Sequence, residues 1–208
     1  GLYMIMSSIE IPLTRAGWNL FSYPVSVEDG RPVEQAMASI QNESWLLYSY
    51  EPEDSSTGWK LYANNYPDVP DELQPLLHTL ERLHFAQGYW MYVTRALSVY
   101  LKGASQEEEE YNNALVSGIA PEPPATFYGT LPVSGSMQAG TKITAWISET
   151  GQLCGEGTLQ QVGEDVGFVI HVLADGPDTG EPGAQPGCGT TNRTVEFKIE
   201  GEEQPRWV

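Results

Sequence analysis

Basic residues are scarce in this chain of 208 residues, in which 10 Lys and Arg stand against 28 Asp and Glu for a formal net charge of −18. A nucleic-acid partner requires stripes of Lys or Arg that replace the counterions of the phosphate backbone. Anionic membrane surfaces attract the same basic clusters. The composition therefore excludes nucleic acid as a partner and disfavours anionic lipid, whereas it promotes solubility and repulsion between copies.

Histidine is also rare, and no familiar catalytic pattern surrounds the three that are present. His78 and His84 lie in a leucine-rich stretch, where we expect the polar edge of a packed helix, and His171 alternates within a predicted strand. The sequence has no Gly-X-Ser-X-Gly elbow, P-loop or dinucleotide-binding glycine pattern. A glycoside-cleaving carboxylate pair cannot be picked from the acidic residues without geometry. We predict that the chain is not an enzyme and holds no cofactor. An enzyme with a cryptic carboxylate site is the third alternative, after the two hypotheses given at the end of this section.

Long apolar runs are absent as well, since no stretch approaches the roughly 20 apolar residues that a membrane helix needs. Residues 1–8 lack the basic region of a signal peptide and are too short for one. This start indicates a processed product or an excised segment. The segment is strand-like and uncharged, and we expect it to pair within its own domain or, as the alternative, with an open sheet edge of a neighbouring copy.

Cysteine is limited to Cys154 and Cys188. A zinc site would need further ligands, and His171 is the one candidate histidine. We therefore favour a disulfide over two free thiols, and a disulfide indicates an oxidising compartment. Asn42 and Asn192 each begin an Asn-X-Ser/Thr sequence and are candidate glycosylation sites, which fits a surface location.

Apolar residues make up 40% of the chain, with six Trp, eleven Tyr and five Phe, which is enough for ordered cores. Alternating patterns place a first, β-rich domain at residues 9–102. A short helix opens at Pro32, where the missing N–H of proline costs nothing. A leucine stripe between residues 71 and 84 predicts a second helix, with Pro75 in its way.

Residues 103–125 are predicted to form a linker, because a run of four glutamates and then a proline-rich run extend and stiffen the chain. A second domain at residues 126–208 has strand patterns at 127–133, 142–147, 166–172 and 195–199. Turn signals separate these patterns, and no helical period occurs. The fold class is therefore predicted to be mainly β, with two small domains, the second an antiparallel β-sandwich of Ig-like type.

The aromatic residues concentrate in the first domain and allow two interpretations. Strand aromatics in a small domain are mostly core, and we predict this role for Trp18 and Trp90. Sugar-binding modules instead use exposed aromatic faces. Trp45, Trp59 and Tyr62 are the candidates for such contacts.

An acidic loop carries Asp175, Asp178 and Glu181, interleaved with glycine and proline. Carboxylates in a loop are ligands that calcium uses, but the EF-hand spacing is missing. We interpret the segment as a plain acidic loop with weak calcium potential, and we predict no other metal site.

Two stretches resemble known but uncharacterised modules. Gly17-Trp18-Asn19-Leu20 and Gly88-Tyr89-Trp90 are similar to a module that recurs in large exported proteins of filamentous bacteria such as the Chloroflexota. Phe127-Tyr128-Gly129, Thr144-Ala145-Trp146-Ile147, Cys154-Gly155 and Gly187-Cys188-Gly189 resemble the module that often follows it. The resemblance covers about nine-tenths of the chain and implies location and modularity at the ends of surface proteins. It supplies no reaction.

Besides the enzyme with a cryptic carboxylate site, these observations lead to a first hypothesis and a second one. The first is a non-catalytic structural or interaction segment of an extracellular or cell-surface bacterial protein, including the case of a subunit of a surface assembly or filament. Its partners are then other proteins or copies of itself. The alternative is a pair of carbohydrate-binding modules whose glycan contacts come from the first-domain aromatics.

Overall fold

The computed structural model describes residues 8–51, 57–67, 69–102, 122–176, 183–202 and 206–207. These residues form a mainly β structure of antiparallel strands with very little helix, as predicted. The strands are β1 (Ser8–Leu13), β2 (Gly17–Ser22), β3 (Arg31–Pro32), β4 (Trp45–Tyr50), β5 (Trp59–Asn64), β6 (Arg82–Leu83), β7 (Gly88–Val93), β8 (Leu97–Lys102), β9 (Ala125–Pro132), β10 (Lys142–Ile147), β11 (Gln152–Thr158), β12 (Gln160–Val162), β13 (Asp165–Val172), β14 (Val195–Ile199) and β15 (Arg206–Trp207). The helices are α1 (Val33–Ala36) and two 3₁₀ helices, Ala38–Ile40 and Asp71–Leu77.

The described residues divide between two compact units. Unit 1 draws on Gly1–Ser49, Leu61–Asp68 and His78–Ala120, and unit 2 on Tyr50–Lys60, Val69–Leu77 and Pro121–Val208. Two segments that the sequence-based partition placed in the first domain thus belong to unit 2. A Cβ on Gly167 of β13 would lie 2.7 Å from a Leu73 methyl carbon and 3.2 Å from one of Leu76, so the first part of the leucine stripe packs directly on that strand. An apolar stripe predicts burial, but not which core receives it.

Unit 1 is built on a four-stranded sheet in the order β2-β7-β4-β5. Strand β7 is antiparallel to both of its neighbours, β2 and β4. Two smaller pairs, β1 with β8 and β3 with β6, complete the described strands of the unit. One apolar cluster is shared by these elements and by α1, and its members are Ile11, Leu13, Tyr23, Val25, Val33, Ala36, Met37, Ile40, Trp45, Leu47, Tyr62, Leu80, Leu83, Tyr89, Met91, Val93, Val99 and Leu101.

The leucine stripe does not form the predicted helix through residue 84. It forms a 3₁₀ helix from Asp71 to Leu77 that contains Pro75, and the chain then enters β6. Proline removes a helical hydrogen bond and clashes with the preceding turn, so an α-helix does not extend through it. The shorter helix at Val33–Ala36 and Ala38–Ile40 agrees with the prediction that a helix follows Pro32.

Unit 2 contains a four-stranded sheet, β11-β10-β14-β15, and a three-stranded sheet, β12-β13-β9. Residues from both sheets share one apolar cluster, in which Ile143 of β10 and Ile170 of β13 are buried. Cys154 and Cys188 are joined by a disulfide with an S–S distance of 2.09 Å, and both residues lie in this cluster. The predicted disulfide and paired antiparallel sheets are therefore present, and Ig-like strand connectivity stays a prediction.

Strand β11 was not predicted because glycine is a poor strand former. The structure gives a reason for its glycines. A Cβ on Gly155 would clash with the backbone carbonyl of His171, and one on Gly157 would lie 3.2 Å from the carbonyl oxygen of Val169. Glycine at these positions lets β11 approach β13 of the other sheet closely, next to the disulfide.

Several predicted features fall outside the described residues. These are most of the strand-like segment at residues 1–8, most of the linker at residues 103–125, and Asp178 and Glu181 of the acidic loop.

Candidate functional site

The side of the unit 1 sheet that faces away from the core carries large apolar and aromatic side chains. In β7, Tyr89, Met91 and Val93 are fully buried, while the alternating residues Trp90 and Tyr92 are only partly buried. Because side chains alternate between the two faces of a strand, the pairing register extends this second face onto the neighbouring strands. We call it the outer face, and it consists of Trp18, Leu20, Leu46, Tyr48, Trp90 and Tyr92.

The rings of the outer face pack edge to face. The ring centroids of Trp18 and Tyr92, which are opposite each other in β2 and β7, lie 5.3 Å apart at an interplanar angle of 71°. Trp18 makes a second contact of this kind with Tyr48, at 5.6 Å and 62°. Tyr66 extends the group through Tyr92, at 6.3 Å. Edge-to-face aromatic pairs are favourable beyond the area they bury, so these contacts hold the rings in defined positions.

The outer face is both uncharged and partly open to solvent. Strands β2, β4 and β7, with the sequences GWNLFS, WLLYSY and GYWMYV, contain no charged residue. Leu20 is 50% exposed, Trp18, Leu46, Trp90 and Tyr92 are partly buried, and Tyr48 is only 2% exposed. In a chain with a net charge of −18, three adjacent uncharged strands mark a region that differs from the rest of the composition.

Two of the predicted sugar-contacting aromatics lie elsewhere in unit 1, inside a stack of three rings. Tyr62 stacks on Trp45, with centroids 5.4 Å apart, and on the imidazole of His78, with centroids 4.2 Å apart. Trp45 is 1% exposed and its indole N–H donates to the Ile40 carbonyl at 3.1 Å. Tyr62 is 8% exposed. Neither ring therefore presents an open face to a ligand.

A cavity of about 270 Å³ adjoins this stack. The Tyr62 hydroxyl donates to the Glu34 carboxylate at 3.1 Å. Burial of the phenol, reinforced by the hydrogen bond to Glu34, raises the pKa of Tyr62 to about 12. Gln41 and Asn64 contribute amides to the lining, but the Asn64 amide N–H groups donate to the carbonyls of Gln41 and Glu43. The polar groups of the cavity mostly bond to one another.

The third predicted sugar contact, Trp59, belongs to unit 2. It is 2% exposed, its indole N–H donates to the Gly183 carbonyl at 3.4 Å, and its ring meets Tyr50 edge to face at 5.2 Å. The three predicted aromatics are thus not brought together. The outer face instead contains Trp18 and Trp90, which were predicted to be core. Their strands have apolar residues on both faces, so alternation alone does not identify the core side.

The histidines are placed mainly in packing roles. His78 is held by its stack on Tyr62 and by a contact of 2.8 Å between Nε2 and the Ala63 carbonyl oxygen. His171 Nδ1 lies 2.8 Å from the Thr126 hydroxyl. Burial lowers the pKa of His171 to about 4, so the imidazole is neutral near pH 7. His84 is exposed and lies near Gly30.

The acidic loop and the two candidate glycosylation sites have different surroundings. The Asp175 carboxylate pairs with the Arg193 guanidinium at 3.1 Å and accepts the Gly187 N–H at 2.8 Å. Both oxygens of the Asp175 carboxylate therefore already have partners within the protein. Among the residues the structure describes, no group of three potential metal ligands occurs. Asn42 and Asn192 are both exposed.

The described residues also include no helix long and apolar enough to cross a lipid bilayer. Comparison of the chain with protein-family profiles, with curated proteins and with solved structures finds no match.

Proposed function

We propose that the chain is a non-catalytic structural and interaction segment of an extracellular or cell-surface protein, and that the outer face is its contact surface. The outer face is the observation that carries this proposal. Contiguous exposed apolar patches are uncommon on monomeric proteins and usually mark interaction sites. An uncharged aromatic patch also avoids the electrostatic penalty that a highly acidic surface imposes on most partners.

Three further features support the extracellular location. The Cys154–Cys188 disulfide is of a kind that forms and persists in oxidising compartments. The exposed Asn42 and Asn192 are accessible for glycosylation. The third feature is the resemblance of the sequence motifs to modules of exported bacterial proteins. We propose that the chain belongs with these modules, and the motifs are the only support for this.

Carbohydrate binding is the second candidate function, and the outer face supports it better than the aromatics first proposed. Sugars present apolar C–H faces that stack on aromatic rings, and Trp18, Trp90 and Tyr92 are partly buried aromatic residues on one face of the same sheet. Trp45, Trp59 and Tyr62 are too deeply buried for such stacking. A neutral glycan is also the partner least affected by a charge of −18.

The test compares the double variant Trp18→Ser/Trp90→Ser with Tyr100→Ser. Tyr100 is a matched control because it is an exposed aromatic, at 50%, on a different strand of unit 1. Binding to a panel of neutral polysaccharides and self-association in sedimentation velocity are measured for each variant. We expect one of these activities in the intact chain, its loss in the double variant and its retention in the control.

Thermal unfolding of each variant separates loss of binding from loss of fold. An intact chain that neither binds a polysaccharide nor self-associates at any salt concentration contradicts the proposal. So does a double variant that stays folded and keeps full activity.

A further inference from the structure

The three-stranded sheet of unit 2 ends at a long strand with one described neighbour. Strand β9 (Ala125–Pro132) pairs with β13 over eight register positions, and among the described strands nothing pairs with its other side. No residue of β9 is fully buried, and Ala125, Thr130 and Pro132 are exposed. A strand at the edge of a sheet presents backbone N–H and C=O groups that can pair with a further strand.

The sequence of β9 does little to prevent such pairing. Natural edges are protected by charged side chains, by bulges, by proline or by short length. Strand β9 reads ATFYGTLP, which has no charge, and its proline stands at the last position. Its pairing register with β13 is continuous.

The other sheet edges of unit 2 carry protective features. Strand β11 is irregular opposite Ala145 and Trp146, and its Glu156 forms an ion pair with Lys142 at 2.6 Å. Strand β12 has three residues and β15 has two. Among the strands of this unit that the structure describes, β9 therefore has the least protected edge.

Side chains and loops also cover the edges of the unit 1 sheet. At β2, the Arg15 guanidinium donates to the Trp18 carbonyl at 3.1 Å, and the Asn19 amide donates to the Gly17 carbonyl at 3.0 Å. At β5, the Leu61 carbonyl accepts the Leu80 N–H at 2.9 Å, and the Leu61 N–H donates to the Thr79 hydroxyl. Among the described sheets of three or four strands, the contrast therefore singles out β9.

We propose that β9 accepts residues 2–7 of a second copy of the chain as an added strand, an inference that rests on the proposed function as a structural segment. This donor, with the sequence LYMIMS, lies outside the described residues and immediately precedes β1. It has no charged residue, and four of its six residues, Leu2, Met4, Ile5 and Met6, are apolar, which fits a short strand covered on both faces. Its six residues fit an acceptor strand of eight, and strand addition of this kind is a common mode of recognition.

This contact joins different surfaces of the two copies, and its repetition yields an open series of oligomers instead of a closed dimer. Each copy carries a net charge of −18, so repulsion opposes assembly at low ionic strength. Salt screens that repulsion, because the Debye length falls from about 10 Å at 0.1 M to about 3 Å at 1 M. Assembly through β9 is therefore expected to increase with salt concentration.

The experiment measures sedimentation velocity of the full chain over a wide range of protein and salt concentrations. Thr130→Lys places a charge on the acceptor edge, and Ile5→Lys places one on the donor. Thr158→Lys is the matched control, since it makes the same change at an exposed position at the end of β11. We expect the two test variants to weaken assembly by about tenfold or more, and the control to assemble like the intact chain.

Other results overturn the inference in distinguishable ways. An intact chain that stays monomeric at every salt concentration rules out the assembly. Loss of assembly in Thr130→Lys but not in Ile5→Lys identifies β9 pairing with β9 of another copy. If only Trp18→Ser/Trp90→Ser blocks assembly, the outer face is the contact, which supports the proposed function and excludes β9. Hydrogen exchange of the β9 backbone amides is measured for each variant before and after assembly. Exchange slows on assembly only if β9 pairs with another strand.

Discussion

The two units stabilise their cores by different means. The unit 1 cluster contains four large aromatic side chains, Tyr23, Trp45, Tyr62 and Tyr89, and no cysteine. The unit 2 cluster is dominated by aliphatic residues such as Ile143, Ile170 and Ile199, with two buried phenylalanines, Phe168 and Phe197, and a disulfide. The unit 1 cluster thus depends more on burial of large rings, whereas the unit 2 cluster combines mainly aliphatic side chains with a covalent crosslink, and the buried Trp59 of unit 2 lies outside that cluster.

This difference in core composition predicts that the two units respond differently to loss of an aromatic ring and to loss of the disulfide. A large ring in a close-packed core leaves a cavity when it is removed, and the surroundings relax only in part. A disulfide acts mainly on the unfolded chain, whose conformational freedom it restricts. Substitution of aromatics is therefore expected to affect unit 1, and reduction to affect unit 2.

The largest expected effect is in unit 1. Trp45→Ala removes a ring that is buried, stacked on Tyr62 and hydrogen-bonded to Ile40. We expect a loss of about 3–5 kcal/mol in the free energy of unfolding of unit 1. Trp18→Ala, on the partly open outer face, serves as the comparison and should cost clearly less. Urea unfolding followed by hydrogen exchange of unit 1 peptides measures both, and equal losses would show that Trp18 is as much a core residue as Trp45.

Reduction of the disulfide is the corresponding test of unit 2. The bridge closes a loop with a sequence separation of 34 residues. In the chain-entropy description, a loop of this length stabilises the folded state by about 3–4 kcal/mol. Hydrogen exchange with and without reductant is expected to show faster exchange in β10, β13 and β14 and little change in β2 and β7. Equal acceleration in both units would mean that they unfold as one cooperative body.

The smallest effect is a dependence of unit 2 stability on acid pH. Burial holds the pKa of His171 at about 4, against 6.5 for an exposed histidine. The unfolded chain therefore binds a proton below pH 6.5 that the folded chain does not bind until about pH 4, so stability falls as the pH decreases through this window. The loss amounts to at most about 3 kcal/mol at the lower end.

His171→Gln is the control for this effect, because glutamine keeps a polar group near the Thr126 hydroxyl but does not titrate. Unfolding of both proteins is measured between pH 7.5 and pH 4, and the difference between them removes the contribution of the carboxylates. A difference that does not change with pH would place His171 in contact with water in the folded state.

Much of the strand arrangement follows from local pattern. The strand patterns at 142–147, 166–172 and 195–199 predicted β10, β13 and β14 to within about one residue. Pro32 predicted the start of the short helix. Strand β11 escaped prediction because its glycines reduce strand propensity, and the need for them arises from the close approach of β13. A contact across two sheets leaves no periodic signal in either strand.

The candidate site was harder to predict than the strands. Aromatic composition pointed to unit 1 as the place where rings cluster, but Trp45, Trp59 and Tyr62 proved to be buried. In β7, Trp90 alternates with the buried Tyr89 and Met91 and so lies on the opposite side of the sheet. Trp18 of β2 is paired with Tyr92 and therefore lies on the same side as Trp90. In strands with apolar residues on both faces, only packing against the rest of the unit decides which face is covered.

The sequence by itself determined the mainly β character, the absence of strongly basic surfaces and the pairing of the two cysteines. Each of these depends on composition, on a period of two residues or on there being one available partner. Tertiary structure alone decided that Tyr50–Lys60 and Val69–Leu77 belong to unit 2, that β9 is the last of the described strands in its sheet, and which aromatic rings are partly open. These outcomes depend on contacts between residues far apart in the chain, whose free energies are not encoded in any local pattern.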